Sequence, residues 1–134
     1  MILGIDPGTR RIGLAVADTE TRFARPLEVI DVREGDVVAR IKEIVSEMGI
    51  TRVVVGRPVN LAGKEGPAMD DHRTFLVHLR GALDVEVDAY DERMTSVIAE
   101  RSLRAAGTSA AKRKEVRDAV AAQVMLQGYM DAHS

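Results

Sequence analysis

Three short runs of branched apolar residues open the chain, ILGID, IGLAVAD (Ile12 to Asp18) and PLEVIDV (Pro26 to Val32), and the first two are joined only by PGTRR. A linker that short closes a hairpin, whereas parallel pairing would need a crossover helix. TETRFAR, before the third run, is longer but still turn-like. The opening of the chain is therefore predicted to be an antiparallel meander.

The pattern then changes period. Asp36 is a good N-cap, the apolar residues Val37, Val38, Ile41, Ile44, Val45 and Met48 recur at helical spacing, and Gly49 supplies a stop. RVVVG (Arg52 to Gly56) reads as a strand buried on both faces. Pro67 suits the first turn of a second helix, with Ala68, His72, Phe75, Leu76, Leu79 and Leu83 on one side. VEVDAY (Val85 to Tyr90) is the fifth strand. Thr95 or Ser96 caps a third helix ending at Gly107, and Ser109 caps a last one running towards His133. The order βββ-α-β-α-β-α-α predicts an α/β fold: a mixed five-stranded sheet with helices on both faces, joined by right-handed crossovers.

At 134 residues the chain makes one domain, long enough to bury roughly two thirds of its unfolded surface without a disulfide or structural metal. With no cysteine, thiol catalysis and Cys-ligated zinc are excluded and a reducing cytoplasm is the expected location. No basic leader precedes Asp6 and no apolar run is long enough for a bilayer, so neither export nor membrane insertion is expected. A formal net charge of −2 means that any polyanion must meet a local patch. The segment from Arg101 to Arg117 is a candidate, since Arg101, Arg104, Lys112, Arg113, Lys114 and Arg117 face Glu115 alone.

Acids stand out at three places in the chain. Asp6 ends the first strand ahead of Pro7 and Gly8, at the carboxyl edge where open sheets bind ligands, although an Asp before Pro-Gly also starts an ordinary turn. Asp91 and Glu92 end the fifth strand in the same way, which strengthens the signal by bringing a second segment's acids to a comparable edge, and a solvated acidic turn before a helix is the competing reading. Asp118 shares its helical side with Ala121, Ala122, Met125 and Tyr129. A carboxylate on an apolar stripe is costly unless it meets a cation or donors. If these acids converge, carboxylates about 4 Å apart repel by roughly 4 kcal/mol at an effective dielectric near 20, so a positive charge must sit between them. Only His72, His78 and His133 could compete with oxygen ligands, which favours Mg²⁺ or Mn²⁺. Two such ions suit phosphoryl chemistry.

GIDPGTRRIGLAVAD, VVVGRPVNLAGKEG, DERMTS and DAVAAQVMLQGYMD occur in this order across nearly the whole chain. Together they resemble the YqgF/RuvX family, Holliday-junction-resolvase-like proteins of the RNase H-like fold, many of them assigned to processing the precursor of small-subunit ribosomal RNA. The resemblance implies a metal-dependent nuclease whose catalytic and metal-binding acids are Asp6, Glu92 and Asp118. It also implies a nucleic-acid partner, structured RNA or branched DNA. The family's middle motif resembles GLPLNMDG, so Arg57 stands where an apolar residue is usual and Ala62 where an acid is. That exchange bears on substrate choice more than on the acids.

Phosphate contacts are expected from Arg10 and Arg11 beside Asp6, from Arg57, Lys64 and Arg93 in the motifs, and from Lys112, Arg113 and Lys114 at the start of the last helix. A solvated hairpin tip is the competing reading for Arg10 and Arg11, and ordinary surface charge for the lysines. Phe23, Phe75, Tyr90 and Tyr129 are too few for a base-stacking platform, so recognition should depend on phosphate and shape. Three other functions compete: a resolvase of four-way DNA junctions, a non-catalytic assembly factor, and a nucleotide-binding half of a kinase-like pair, the last disfavoured because 134 residues supply one domain. Resolving a symmetric junction would favour a homodimer, although no long apolar stripe marks an interface.

Overall fold

The computed structural model describes residues 1–8, 10–57, 67–91 and 110–132. Strands β1 (Ile2–Pro7), β2 (Arg11–Ala17) and β3 (Ala24–Asp31) form the meander, followed by helix α1 (Val37–Met48), β4 (Arg52–Arg57), α2 (Pro67–Ala82), β5 (Glu86–Asp91) and a last helix, α3 (Ala110–Ala132). The helix expected between Thr95 and Gly107 lies outside the described residues. Strand ends differ from the sequence reading by one or two positions: β3 begins two residues earlier and β5 one residue later.

The sheet order is β3-β2-β1-β4-β5. β1 pairs antiparallel with β2 and β2 with β3, while β4 runs parallel to both β1 and β5. The hairpin between β1 and β2 turns tightly enough that a Cβ on Gly8 would collide with the carbonyl oxygen of Arg11, which is why glycine stands there. The β2–β3 register slips between Leu14, opposite Glu28, and Ala15, opposite Pro26. Pro26 has no N–H to donate, and it is tolerated because β3 is an edge strand and the irregularity falls beside it.

Side chains alternate between two cores. Leu3, Ile5, Leu14, Val16, Val53 and Val55 pack with Ile41 and Ile44 of α1 and Leu76 and Leu79 of α2. On the opposite face Ile2, Ala15, Ala17, Ala24 and Val54 pack with Ala122, Met125, Leu126, Tyr129 and Met130 of α3. The Asp36 side chain accepts a hydrogen bond from the Ala39 amide (3.1 Å), and Gly49 ends α1 at φ 63°, as the capping signals anticipate. No helix among the described residues is long and apolar enough to cross a membrane.

Candidate active site

Strand alternation decides where Asp6 points. Leu3 and Ile5 belong to the α1/α2 core and Ile2 to the α3 core, so Asp6 shares the α3 side with Ile2 and Gly4. It is half-buried and lies opposite Gly13 of β2. On the other side, one step beyond the Ile5–Val55 pair brings it level with Gly56 of β4, which is paired with Tyr90 of β5. The carboxylate thus stands in a row whose two neighbouring strands contribute glycine, leaving the sheet floor beside it without side chains.

Because β1, β4 and β5 are parallel, their carboxyl ends lie on one edge, as expected for the first and fifth strands. They are not adjacent. β4 intervenes, and at about 4.8 Å per strand the ends of β1 and β5 are roughly 10 Å apart along the sheet. Asp91 closes β5 opposite Arg57 of β4. The side chains of Asp91 and Arg57, and the whole of Lys64, Glu92 and Arg93, lie outside the described residues.

Helix α3 reaches the same edge from above the sheet. A Cβ on Gly4 would stand 2.9 Å from the Leu126 Cβ, so the helix descends onto β1 only because residue 4 is glycine. Its far end is anchored by polar contacts. Gln127 Nε2 donates to the Arg22 carbonyl (2.9 Å), its Oε1 accepts from the Ala24 amide (2.8 Å), and Gln123 Nε2 donates to the Ala24 carbonyl (3.1 Å). Arg22 donates to the Met130 carbonyl. Tyr129 Oη donates to Asp88 (3.0 Å) and accepts from Arg52 (2.9 Å), whose strand position pairs with Ile2 at the amino end of β1.

These contacts set the direction of the helix. With Leu126 over Gly4 and Tyr129 towards the level of Ile2, α3 runs from the carboxyl end of β1 to its amino end. Asp118 therefore lies about 12 Å up the helix from Leu126, towards the Asp6 end. It comes one turn before Ala122, which is fully buried against the sheet, and Ala119 and Ala121 are buried as well. The Asp118 side chain is outside the described residues, as are those of Lys112, Arg113 and Lys114 in the first turn of α3. Of the three predicted acids, then, β1 and α3 carry two to one face and one edge, and the third follows the end of β5.

The β1–β2 hairpin places Arg10 and Arg11 beside Asp31, the last residue of β3 and the partner of Arg11 in register. Arg10 stands 4.0 Å and Arg33 3.7 Å from the Asp31 carboxylate, which also accepts a 2.9 Å hydrogen bond from the Arg33 amide. That amide bond, with smaller help from the Arg33, Arg10 and Arg11 charges and against a desolvation cost, holds the Asp31 carboxyl below its usual range. Arg33 was not singled out by sequence reasoning. Its signal is faint: a charged residue two positions after a strand-ending Asp. His78, a possible nitrogen ligand by sequence, is exposed on α2.

Among the described residues no three His, Cys, Asp or Glu side chains form a metal-holding group, and Asp6 is the one predicted ligand whose side chain is described. The donor set nevertheless suits a hard cation: a half-buried carboxylate at a sheet edge, an acidic pair of which Asp91 ends β5 and Glu92 follows it, and an aspartate position on a helix whose neighbouring Ala119, Ala121 and Ala122 are buried.

A mixed sheet of this order, with a long final helix packed on one face, is an α/β domain of the RNase H-like fold. Thermus thermophilus RuvC in complex with Holliday junction substrate superposes with a TM-score of 0.60 at 22% identity, covering 98% of this chain and 94% of that one. The Fowlpox virus resolvase bound to Holliday junction DNA does so with a TM-score of 0.62 at 12% identity, covering 98% and 97%. At the level of sequence, residues 1–132 match the family described as "RuvX: Holliday junction resolvase". A Chloroflexus aggregans protein named "Putative pre-16S rRNA nuclease" is 45% identical over 98% of this chain and 93% of its own length. An Anaeromyxobacter dehalogenans protein of the same name is 46% identical over 96% and 95%. The chain belongs to the RuvX family.

Proposed function

We propose that this protein is a divalent-metal-dependent nuclease that hydrolyses phosphodiester bonds in the precursor of small-subunit ribosomal RNA. The observation that carries the reading is the placement of Asp6: half-buried, flanked by Gly13 and Gly56, on the face and at the end of the sheet towards which α3 carries the Asp118 position.

In this reading Asp6, Glu92 and Asp118 hold Mg²⁺ or Mn²⁺, expected as two ions. Such ions, when bound, would lower the pKa of a water and stabilise charge on the attacking and leaving oxygens. The protein's own contribution is positional. Gly13 and Gly56 leave space for a phosphodiester to approach Asp6, and the close fit of Leu126 on Gly4 holds the helix that bears Asp118 at a set distance from β1. Arg10 and Arg11 at the hairpin, with Arg57, Lys64, Arg93 and the Lys112 to Lys114 turn, supply cations for the flanking phosphates. The names of the relatives favour RNA. The family description favours a four-way DNA junction, a second reading to which a homodimer would belong.

One assay tests both. Structured RNA carrying a small-subunit precursor end and a four-way DNA junction are offered to the protein with Mg²⁺, with Mn²⁺ and with chelator. Metal-dependent cutting of the RNA is expected, with losses of at least about 100-fold in Asp6→Asn and Asp118→Asn, the scale of removing one preorganised charge-stabilising group. Cutting undiminished in both variants rejects the proposal. Junction cutting without RNA cutting transfers it to the second reading. Thermal stabilisation by Mn²⁺ that disappears in Asp118→Asn separates a metal site from an acid that serves structure alone.

A further inference from the structure

The arginines around Asp31 are arranged for more than folding. Strand register makes Arg11 and Asp31 direct partners, one same-face row beyond the row that holds Asp6, Gly13 and Val29. Arg10 at the hairpin and Arg33 in the turn after β3 flank the same carboxylate, each with its side chain more than half exposed (62% and 63%), while Asp31 is largely covered (22%). The Asp31 carboxylate is ion-paired with Arg10 and Arg33 and lies in the field of Arg11, its register partner, and even with exposed Glu34 in the same turn these residues keep an excess of positive charge.

The geometry separates what organises from what is offered. The 2.9 Å bond from the Arg33 amide fixes the Asp31 carboxylate through the backbone, whereas the two side-chain pairs are long and solvent-facing. Pairs of that kind contribute little to stability. A guanidinium has five N–H donors, and a contact near 4 Å engages few of them. Arginines held beside an acid in this way are pre-positioned to fork onto phosphate oxygens at small entropic cost.

We propose that Arg10, Arg11 and Arg33, organised by Asp31, form a phosphodiester-binding subsite that leads the nucleic-acid strand from Asp6 across β2 to the β3 edge. The proposal rests on reading the Asp6 edge as the cleavage site and adds the path of the substrate over it. Two strand spacings and two residue rises separate Asp31 from Asp6, about 12 Å. That span corresponds to three to four nucleotides at about 3.4 Å of axial rise each. The ligand is a phosphodiester backbone, recognised by charge, and both RNA and DNA present it.

The test uses the full chain in chelator, so that nothing is cut. A fluorescein-labelled single-stranded oligoribonucleotide and a labelled four-way DNA junction are titrated by anisotropy over a range of salt. Arg33→Gln is compared with Arg25→Gln, an exposed arginine at the amino end of β3, the end away from Asp31. In Arg33→Gln the slope of log K against log salt is expected to become shallower by about 0.7 on the single-stranded RNA and about 0.9 on the junction arms. Arg25→Gln should leave both slopes unchanged. An unchanged slope in Arg33→Gln, or equal shifts in the two variants, overturns the subsite. A slope change seen with RNA alone or junction alone identifies which backbone the subsite takes. Failure here alongside metal-dependent cleavage removes only the subsite; a slope loss without cleavage removes only the nuclease reading.

Discussion

The two faces of the sheet are built on different principles. Against α1 and α2 the strands present large branched side chains, Leu3, Ile5, Leu14, Val16, Val53 and Val55, and the helices answer with Ile41, Ile44 and Leu79. Against α3 they present Gly4, Ala15, Ala17 and Ala24 with only Ile2 and Val54 as larger strand residues, and the helix answers with Ala122, Met125, Leu126 and Met130 and with polar contacts from Gln123, Gln127 and Tyr129. The first face removes more apolar area from water and so contributes more of the hydrophobic stabilisation. The second gives up side-chain bulk for close approach and directional bonds, which fix where a helix lies. The face that carries Asp6 is the one built for position.

Deleting bulk from the first face should therefore cost the most stability. Leu79→Ala, at a fully buried α2 position, is expected to lower the unfolding free energy by about 2–5 kcal/mol in urea denaturation, with the turnover of the remaining folded protein unchanged. Adding bulk to the second should act the other way round. Gly4→Ala forces the Leu126 backbone-proximal Cβ to move, at a cost of about 1–3 kcal/mol, and should reduce metal-dependent cleavage by more than its stability loss explains, because the helix carrying Asp118 is displaced. If Gly4→Ala were as active per folded molecule as the parent, the contrast between the faces would fail.

Smaller effects sharpen the same contrast. Tyr129→Phe removes one hydroxyl that bridges Asp88 and Arg52 and should cost about 1 kcal/mol, read as a shift in the urea midpoint. Gly81 in α2 has open space around the place a Cβ would take, so Gly81→Ala should stabilise by about 0.5–1 kcal/mol and leave cleavage untouched. Two Gly→Ala changes of opposite sign would show that local space, and no general property of glycine, governs position 4.

Much of this architecture was legible beforehand because its signals are local. The PGTRR linker allows only a hairpin, the Asp36 and Gly49 caps bound α1, and the apolar spacing of Leu76, Leu79 and Leu83 marks the buried side of α2. The edges of β3 and β5 were read less well, since strand ends depend on which partner continues the ladder, as the slip at Leu14 and Ala15 shows. Asp6 was legible as an acid at a strand end. The glycines on either side of it were not, because Gly13 and Gly56 become its neighbours only through pairing across two different registers. Arg33 escaped notice for the same reason: nothing in its own segment indicates that Asp31 is opposite Arg11.

By itself the chain of residues determined the kinds of element, their order, and the chemistry on offer: carboxylates without thiols, arginines beside the first of those carboxylates, and a motif series shared with one family. Tertiary structure alone decided that β4 separates β1 from β5, that α3 runs antiparallel to β1 with its Asp118 end towards Asp6, and that Arg10 and Arg33 pair with one aspartate whose register partner is Arg11. The reason is physical. Helix and turn preferences act over a few residues, whereas a site is assembled from contacts between segments more than a hundred residues apart, and those are set by packing and strand pairing of the whole domain.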